Sequence, residues 1–402
     1  MTCLTGLFAI VLACQAGEAW PQSKGDALRS GNASDRILAP SLGLIGAVLL
    51  KDAALSSPIV AGGRIIVVDA SGVVTAVDAG TLEVAWQVAV EGDLPGGNTV
   101  ASPAAIGEFL HVATGSGTYA VLRAKDGRVE RTIRCGEPIL SSPVVANGRV
   151  YFATLGARVF ALEPDGTVRW QWDYLKSEVK FEGDRWSGRD WLKFRDGKSR
   201  PSDVFLCSRD LAANPKGHIL VPAGVRLIWL EDLGERPIAR DTYLHEGPIV
   251  AFSIAPDPIC AMDHSRVYSQ WHTLDNESRI ERLGIWGNDV YRLPDPVPGT
   301  WTSATAKGTF SVNSVSVAGN EVYRTRPQEG AGLVRHRSGQ PEPERLADAA
   351  AIASPVLVKD AVVYGDLSGR LHVVPRSKGR EPWSFQTPFG RAISAPAAVA
   401  DG

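Results

Sequence analysis

The chain alternates short apolar runs with tight polar turns at a regular interval. From Leu55 to Trp86 it reads LSSPIVAGGRIIVVDASGVVTAVDAGTLEVAW, and a shorter version, LSSPVVANGRVYFATLGARVFALEPDGTVRW, runs from Leu140 to Trp170. Apolar and polar residues alternate within the runs, and two-residue turns such as Gly62-Gly63 separate them. Alternation with period two, interrupted by glycine turns, predicts β-hairpins. Each segment therefore predicts four short strands.

A Ser-Pro pair opens each copy of this pattern and defines its period. The pair stands at Ser57-Pro58, Ser102-Pro103, Ser142-Pro143 and Ser354-Pro355, with a relaxed version at Ala395-Pro396. The spacing is 45 residues from Ser57 to Ser102, 40 from Ser102 to Ser142 and 41 from Ser354 to Ala395. A period of this length with four strands is typical of a propeller blade. Pro58, Pro103, Pro143 and Pro355 fit the start of the innermost strand, where a missing N–H costs little.

One four-stranded blade cannot bury both of its faces, so neighbours arranged around an axis must cover them. The sequence therefore predicts an all-β fold, a β-propeller with seven recognisable blades and part of an eighth, which would be eight-bladed if completed. The predicted blades span 52–92, 96–136, 137–175, 203–243, 244–292, 298–347 and 350–389. Trp86, Trp170 and Trp383 recur at one position late in their blades, which indicates packing anchors between blades.

The segment from Ala76 to Trp86, AVDAGTLEVAW, resembles the A-x-D-x-x-T-G-x-x-x-W motif of pyrroloquinoline-quinone-like (PQQ-like) repeats. It keeps the acidic residue, Asp78, and departs at Leu82, where the family has glycine. The lead-in WPQSKGD is also similar to that of exported members of this family. The resemblance extends to the propeller lipoprotein of the outer-membrane barrel assembly machinery, and it implies a propeller whose loops or edges capture a partner.

The N-terminus is predicted to be a signal peptide over 1–19. Its apolar stretch from Leu4 to Leu12 is too short to span a bilayer, and small residues allow cleavage after Ala19. Lipoprotein processing at Cys14 is the alternative, and only then would the chain associate with a membrane. A lead-in over 20–42 and the propeller over 43–402 follow. We expect 43–52 to be the outermost strand of an eighth blade that is truncated at the C-terminus, and the alternative is a seven-bladed ring with a loosely attached strand.

Charge and residue spacing exclude several classes of function. The 402 residues carry a net charge of −2, so there is no basic footprint for nucleic acid. The five cysteines show no metal-binding or haem-attachment spacing, and the seven histidines form no catalytic or metal motif. We therefore predict no catalytic residue and no metal site.

The resemblance to quinoprotein dehydrogenases implies a different possibility, in which PQQ and Ca²⁺ bind on the ring axis. Those enzymes often use a pair of adjacent cysteines and an acidic cation site, and neither pattern occurs in this sequence. No cofactor is therefore predicted, and PQQ with Ca²⁺ belongs only to the alternative of a quinone-dependent dehydrogenase or another enzyme that uses the funnel.

An insertion over 173–203 is the most distinctive stretch outside the repeat. It is rich in both charges and in tryptophan, and Trp186, Arg189, Trp191 and Arg195 are the predicted partner-binding residues because Trp and Arg dominate interface energetics. The alternative is a solvated loop whose tryptophans cover the blade beneath. The sequence thus favours an exported, monomeric, non-catalytic scaffold that binds an envelope protein or a small ligand at its rim or funnel.

Overall fold

A computed structural model of the chain describes residues 20–400, apart from 39–41, 93, 95–97, 196–204, 215, 224–225, 245–248, 255–257, 264–268, 275–279, 287–288, 293–314, 320, 327–329, 331, 338–342, 378 and 389. The predicted signal peptide, including Cys14, lies outside the described residues. Within them the chain forms seven β-sheets and two short helical segments.

The first strand, β1 (Asn32–Ala33), lies in the lead-in. Sheet 1 consists of β2 (Ile59–Ala61), β3 (Arg64–Val68), β4 (Val73–Asp78) and β5 (Val84–Ala89). Sheet 2 consists of β6 (Ala104–Ile106), β7 (Phe109–Ala113), β8 (Thr118–Arg123) and β9 (Val129–Arg134). Sheet 3 consists of β10 (Val144–Ala146), β11 (Arg149–Ala153), β12 (Arg158–Leu162) and β13 (Val168–Asp173). Sheet 4 consists of β14 (Ala212–Ala213), β15 (Ile219–Ala223), β16 (Arg226–Asp232) and β17 (Pro237–Leu244).

Sheet 5 has five strands, β18 (Ile249–Ile254), β19 (Pro258–Asp263), β20 (Ser269–Leu274), β21 (Ile280–Trp286) and β22 (Asp289–Arg292). Sheet 6 consists of β23 (Ser316–Ala318), β24 (Glu321–Thr325), β25 (Leu333–Arg337) and β26 (Glu344–Ala347). Sheet 7 consists of β27 (Val356–Val358), β28 (Ala361–Gly365), β29 (Arg370–Pro375) and β30 (Trp383–Gln386), and β1 joins it by pairing in parallel with β27.

Apart from β1 and from Leu244 at the end of β17, the strands of each sheet fall inside one predicted blade, and consecutive strands pair antiparallel within it. The innermost strands are neighbours in chain order, from β2 to β6, β10, β14, β18, β23 and β27. This succession is the arrangement of propeller blades around an axis, so the prediction of an all-β propeller is confirmed. The three central blades, whose sequences are degenerate, also form sheets in order.

The core lies between successive sheets. Val68 and Val74 of sheet 1 share a buried cluster with Leu110 and Val112 of sheet 2. Between sheets 2 and 3, the ring of Tyr119 stacks on that of Phe152 with centroids 3.9 Å apart. Neighbouring sheets therefore cover both faces of an internal sheet. This explains why all but the last residue of β4 and of β8 are buried.

Two segments depart from the predicted strand pattern. The insertion contains a π-helical turn, Leu175–Val179, and an α-helix, α1 (Gly188–Arg195), where the sequence predicted an irregular loop. Residues 43–52, expected to be an outermost strand, form no strand in the structure. No described helix is long and apolar enough to cross a membrane.

Candidate functional site

The serine of the Ser-Pro pairs links neighbouring sheets. The Oγ of Ser102 accepts a hydrogen bond from the backbone N–H of Ser57 at 2.8 Å, and the Oγ of Ser142 accepts one from the N–H of Ser102 at 2.9 Å. The N–H of Ser142 donates in turn to Asp210 ahead of sheet 4, at 2.7 Å. On the other side, the hydroxyl of Ser57 donates to the carbonyl of Pro396 at 2.9 Å. These bonds form a row of short contacts, called here the girdle, that runs from Pro396 past sheets 1, 2 and 3 to Asp210.

The prolines of these pairs lie where the sequence analysis expected them. Each directly precedes the innermost strand of its sheet: Pro58 before β2, Pro103 before β6, Pro143 before β10 and Pro355 before β27. The role of the serines was not predicted, because their partners lie in another blade and only ring geometry brings them together.

The lead-in runs along the inside of the ring and hydrogen-bonds to its innermost strands. Its backbone and Gln22 bond in turn to Val60, Ala105, Val145, Ala213, Val317 and Leu357, which belong to sheets 1, 2, 3, 4, 6 and 7. The backbone bonds to these residues are 2.8 to 3.1 Å long. The inner edges of six sheets are therefore satisfied by the chain's own N-terminal segment.

Arg29 is the centre of this lead-in and is fully buried. Its guanidinium donates to the carbonyl oxygens of Leu211 and Ser23, both at 2.9 Å, and to those of Ser142 at 3.0 Å and Pro143 at 2.7 Å. Burial lowers the pKa of Arg29, and the carboxylates of Asp210 and Asp26 oppose this shift. Five donors in a rigid fork suit an arginine to bridge separate segments in this way. The sequence analysis missed Arg29, although its position in the resembling lead-in was a signal.

The interior of the ring shows whether a quinone has room to bind on the axis, as the resemblance implies. A cofactor on the ring axis needs room inside the innermost strands, and residues 20–36 occupy that region with bonds to six sheets. With the lead-in in place, the described residues do not fit an axial quinone. They also contain no group of three His, Cys, Asp or Glu side chains placed to hold a metal ion.

The predicted anchor Trp86 packs against the next blade. Its indole N–H donates to the carbonyl of Ala124 at 3.2 Å, and a Cβ added to Gly127 would lie 2.6 Å from the ring. Gly127, with φ +73°, therefore provides both the turn and the flat surface that the indole requires. In sheet 2, Arg131 replaces the tryptophan and lies close to Gly166 of sheet 3 in the same manner.

Trp170 reaches sheet 4 through a carboxylate. Its indole N–H donates to Asp232 at 2.9 Å, and Asp232 also accepts bonds from Tyr151 at 2.7 Å and Arg149 at 2.6 Å. Burial raises the pKa of Asp232, but these hydrogen bonds outweigh it and the pKa is lowered. Asp78 has a local role, because its carboxylate accepts the N–H groups of the turn that follows β4 and its pKa is lowered by these bonds.

The insertion between sheets 3 and 4 holds Trp186 on the surface. The side chain is 48% exposed, and its indole N–H donates at 3.1 Å to Glu137, a buried carboxylate that also accepts a bond from Arg158 at 2.8 Å. The edge of the Trp186 ring meets Phe205 with centroids 5.7 Å apart. Trp186 is thus fixed in orientation while half of its surface faces solvent. Sequence analysis missed the buried Glu137, which carries no motif.

The other predicted partner-binding residues lie on α1. Arg189 is exposed in the first turn of this helix, three residues after Trp186. Trp191 and Arg195 also belong to α1, but their side chains lie outside the described residues. The structure thus joins Trp186 and Arg189 on one accessible segment and leaves the other two as predictions.

The buried side chains of His111, Cys135 and Cys207 are uncharged at neutral pH. His111 is fully buried between the hydroxyl of Tyr119 at 3.0 Å and the carbonyl of Pro164 at 2.9 Å, and burial lowers its pKa to about 4. Cys135 and Cys207 are free and buried, and burial raises the pKa of each thiol to about 12. Such thiols are protonated at neutral pH and are poor nucleophiles.

Comparisons with known proteins agree with this architecture. A family model described as outer membrane protein assembly factor BamB matches residues 46–129 and 96–183. Comparison with curated protein sequences returned no match.

Among solved structures, BamB from Moraxella catarrhalis is similar with a TM-score of 0.57 and 14% identity, covering 87% of this chain and 90% of BamB. A europium-containing methanol dehydrogenase gives a TM-score of 0.66 at 12% identity, covering 94% and 87%. The quinohemoprotein alcohol dehydrogenase ADHIIG from Pseudomonas putida HK5 gives 0.65 at 12% identity, covering 94% and 73%. At such identities the likeness shows the fold, which is shared by an assembly factor and by dehydrogenases. The chain is therefore a β-propeller, and the region that resembles PQQ-like repeats is also the region that matches the BamB family model.

Proposed function

We propose that this protein is an exported, non-catalytic propeller that binds another envelope protein through the insertion on its rim. The observation that carries the proposal is the lead-in inside the ring. Residues 20–36 bond to the inner edges of six sheets, and the buried guanidinium of Arg29 joins two of these sheets. The lead-in therefore occupies the region in which a quinoprotein of this fold would hold its cofactor.

The same segment supports export. Trp20 is the residue that would follow cleavage after Ala19, and its backbone N–H and carbonyl both pair with Val60 at 3.1 and 2.9 Å. A signal peptidase cut at this position would leave every bond of the lead-in intact. N-terminal sequencing of the protein recovered from a secretion-competent host tests this, with Trp20 expected as the first residue and a lipid on Cys14 as the contrary result.

The rim insertion supplies the binding chemistry. Trp186 offers a large apolar surface that is already oriented by Glu137 and Phe205, and Arg189 adds a cation nearby. A preorganised aromatic residue loses little conformational entropy on binding, which is why such residues dominate interface energetics.

The test is capture of a partner from envelope extract by purified protein, compared with the Trp186→Ala/Trp191→Ala variant. Loss of a stable, saturable partner in that variant supports the proposal. Leu233→Ala is the matched control, because Leu233 is 47% exposed, much like Trp186, but lies on sheet 4 away from the insertion. Equal loss in the control variant, or no loss in the double variant, would contradict it.

The structural likeness to two alcohol-oxidising enzymes favours one alternative, a PQQ-dependent dehydrogenase. Reconstitution with PQQ and Ca²⁺, followed by dye-linked oxidation of alcohols and sugars, tests that alternative. Turnover above that of an Arg29→Met variant reconstituted in the same way would replace the scaffold proposal with an enzyme.

A further inference from the structure

Trp20 is the first residue by which the lead-in is fixed inside the ring. Its side chain is buried and shares a cluster with Val356 and Val358 of sheet 7, while its backbone pairs with Val60 of sheet 1. A Cβ added to Gly25 would lie 2.8 Å from the indole, so the lead-in folds back over its own tryptophan. The indole is therefore enclosed between sheet 7 and the lead-in itself.

Gln22 and Arg29 contact the ring through their side chains. The amide of Gln22 accepts a hydrogen bond from the N–H of Val145 at 2.9 Å and donates to the carbonyl of the same residue at 3.4 Å, as the backbone of a neighbouring strand would. The guanidinium of Arg29 donates to carbonyl groups ahead of sheets 3 and 4. The ring thus recognises particular side chains of the lead-in, and a segment without them would lose these bonds.

Backbone hydrogen bonds hold the lead-in between these side chains. The carbonyl groups of Ala27 and Ser30 accept from the N–H groups of Ala213 in sheet 4 and Val317 in sheet 6, at 2.8 and 2.9 Å. Further along, β1 pairs in parallel with β27 of sheet 7. The innermost strands therefore present N–H groups to the inside of the ring, and the main chain of an extended peptide satisfies them, as in recognition by strand addition.

Two buried cations of the lead-in have a left-handed backbone. Lys24 has φ +60° and Arg29 has φ +56°, and both side chains are buried. Residues other than glycine rarely adopt this conformation, and they keep it where the surrounding contacts determine it. The contacts with the ring, rather than the local preference of the sequence, therefore set the conformation of the lead-in at these two positions. A bound peptide takes its conformation from its site in the same way.

The lead-in is joined to sheet 1 through residues 37–52, of which 42–52 form no strand. Ile37 is 66%, Ile45 86% and Leu49 94% exposed in this connection. None of the contacts of 20–36 given above involves residues 42–52. The sheets are also linked to one another directly, by the girdle and by the cores between them. An identical lead-in from another chain could therefore make the same contacts with the ring.

We propose that the inside of the ring is a binding site for an extended peptide, and that the lead-in of a second copy of this chain can occupy it in place of the chain's own. The ligand is a segment that carries the tryptophan, glutamine and arginine of Trp20, Gln22 and Arg29 at the same spacing. Exchange of this segment between two copies keeps every contact inside each ring, which makes such a swap a low-cost route to a dimer. The inference goes beyond the proposed function, because the rim insertion takes no part in it.

The experiment makes the lead-in a separate chain without removing it. A recognition sequence for a specific protease replaces 43–49 in the full-length protein, and after cleavage a fluorescent synthetic peptide of residues 20–36 is added. We expect saturable uptake by fluorescence anisotropy, prevented by excess unlabelled peptide, and a melting temperature of the cleaved protein that rises with peptide concentration. A peptide with Arg29→Met should bind about tenfold more weakly or worse, because three carbonyl groups of the ring lose their donor. Asp35→Asn is the matched control and should bind like the native peptide, because Asp35 is exposed.

Absence of uptake up to about 1 mM peptide, or uptake that Arg29→Met leaves unchanged, would overturn the proposal. A cleaved protein that stays unfolded at every peptide concentration would overturn it as well, because the site would then not hold the segment in trans.

The second copy is tested with uncut protein. Two intact copies that carry different affinity tags are unfolded and refolded together, and we expect a fraction of mixed dimer that both tags capture. Recovery of monomers alone would rule out occupation by a second copy. The capture of an envelope partner by Trp186 has no bearing on these results, so the two proposals fail separately.

Discussion

The seam between sheets 1 and 2 and the seam between sheets 7 and 1, called here the closing seam, are built from the same kinds of strands but differ in their contacts. In the first, Trp86 packs on Gly127, and Leu110 and Val112 are fully buried. In the closing seam, Trp383 has no such glycine among the described residues, and Ile65 and Val67 remain partly exposed. Residues 43–50 and 393–399 also lie at this seam.

The difference shows which contacts between neighbouring sheets the repeated motif specifies. Between sheets 1 and 2, one copy of the motif supplies the indole and the next supplies the turn glycine, so the two successive copies fit together. At the closing seam, residues 43–50 lie on the turn after β4: Leu82, with φ +60°, holds the turn position of Gly127, and a Cβ on Gly46 would lie 2.5 Å from its Cδ1. The exchange of Leu82 with Gly46 is the sequence-level sign of this, because a glycine at 82 would leave a gap where no tryptophan arrives.

The largest expected effect concerns the lead-in, whose Arg29 joins the segments that precede sheets 3 and 4. Arg29→Met should lower the free energy of unfolding by about 4 kcal/mol, because four buried carbonyl groups lose their donor. Urea denaturation followed by tryptophan fluorescence measures it. Arg380→Met is the matched control, since Arg380 is 65% exposed and its effect should stay within about 0.5 kcal/mol. An Arg29 effect as small as that of the control would remove the structural role given to the lead-in.

The next effect concerns acid stability in the regular seam between sheets 2 and 3, where His111 bonds to Pro164. Burial lowers the pKa of His111 to about 4 from 6.5, so the unfolded chain takes up a proton before the folded one as the pH falls. The stabilisation is complete above pH 6.5 and is lost between pH 6.5 and 4, by about 3 kcal/mol in all.

Melting temperatures of the protein and of His111→Gln across this range measure the loss. The variant should be less stable at pH 7 but should show a shallower decline toward pH 4. An identical slope in the two proteins would mean that His111 is not the group responsible.

The most direct test of the comparison between seams is a pair of tryptophan truncations. Trp86→Ala should cost about 2 to 3 kcal/mol, because it removes a packed indole and its hydrogen bond to Ala124. Trp383→Ala should cost about 1 kcal/mol less, because Trp383 packs against the buried cluster of sheet 7 and no hydrogen bond from its indole N–H is described. Chemical denaturation of the two variants in parallel gives the ratio. Equal costs would show that the closing seam is as complete as the regular ones.

The smallest expected effect tests the contact between Gly46 and the turn residue Leu82. Gly46→Ala should destabilise the protein by about 1 kcal/mol, because the new Cβ would press on Leu82. In a Leu82→Gly background the same change should be nearly neutral, giving a coupling of about 0.5 to 1 kcal/mol. A double-mutant cycle by thermal denaturation measures it, and additive effects would separate 43–50 from this turn.

The sequence could predict the blades because their signals are local. Alternating residues and two-residue turns such as Asn147-Gly148 specify hairpins within about forty residues, and the central blades followed from the spacing that the clearer copies set. Trp186 and Arg189 could be nominated from composition alone. Glu137, which orients Trp186, could not, because its partners come from a strand and an insertion that only folding brings together.

By itself, then, the sequence determined the strand pattern, the period, the placement of the prolines before the innermost strands and the resemblance to PQQ-like repeats. Only the tertiary structure decided that the serines form a girdle, that Arg29 fills the inside of the ring and that Gly46 lies against Leu82. The physical reason is the range of the interactions. Hairpin preferences act between neighbours in the chain, whereas a buried guanidinium finds its carbonyl partners more than a hundred residues away, once the ring has formed.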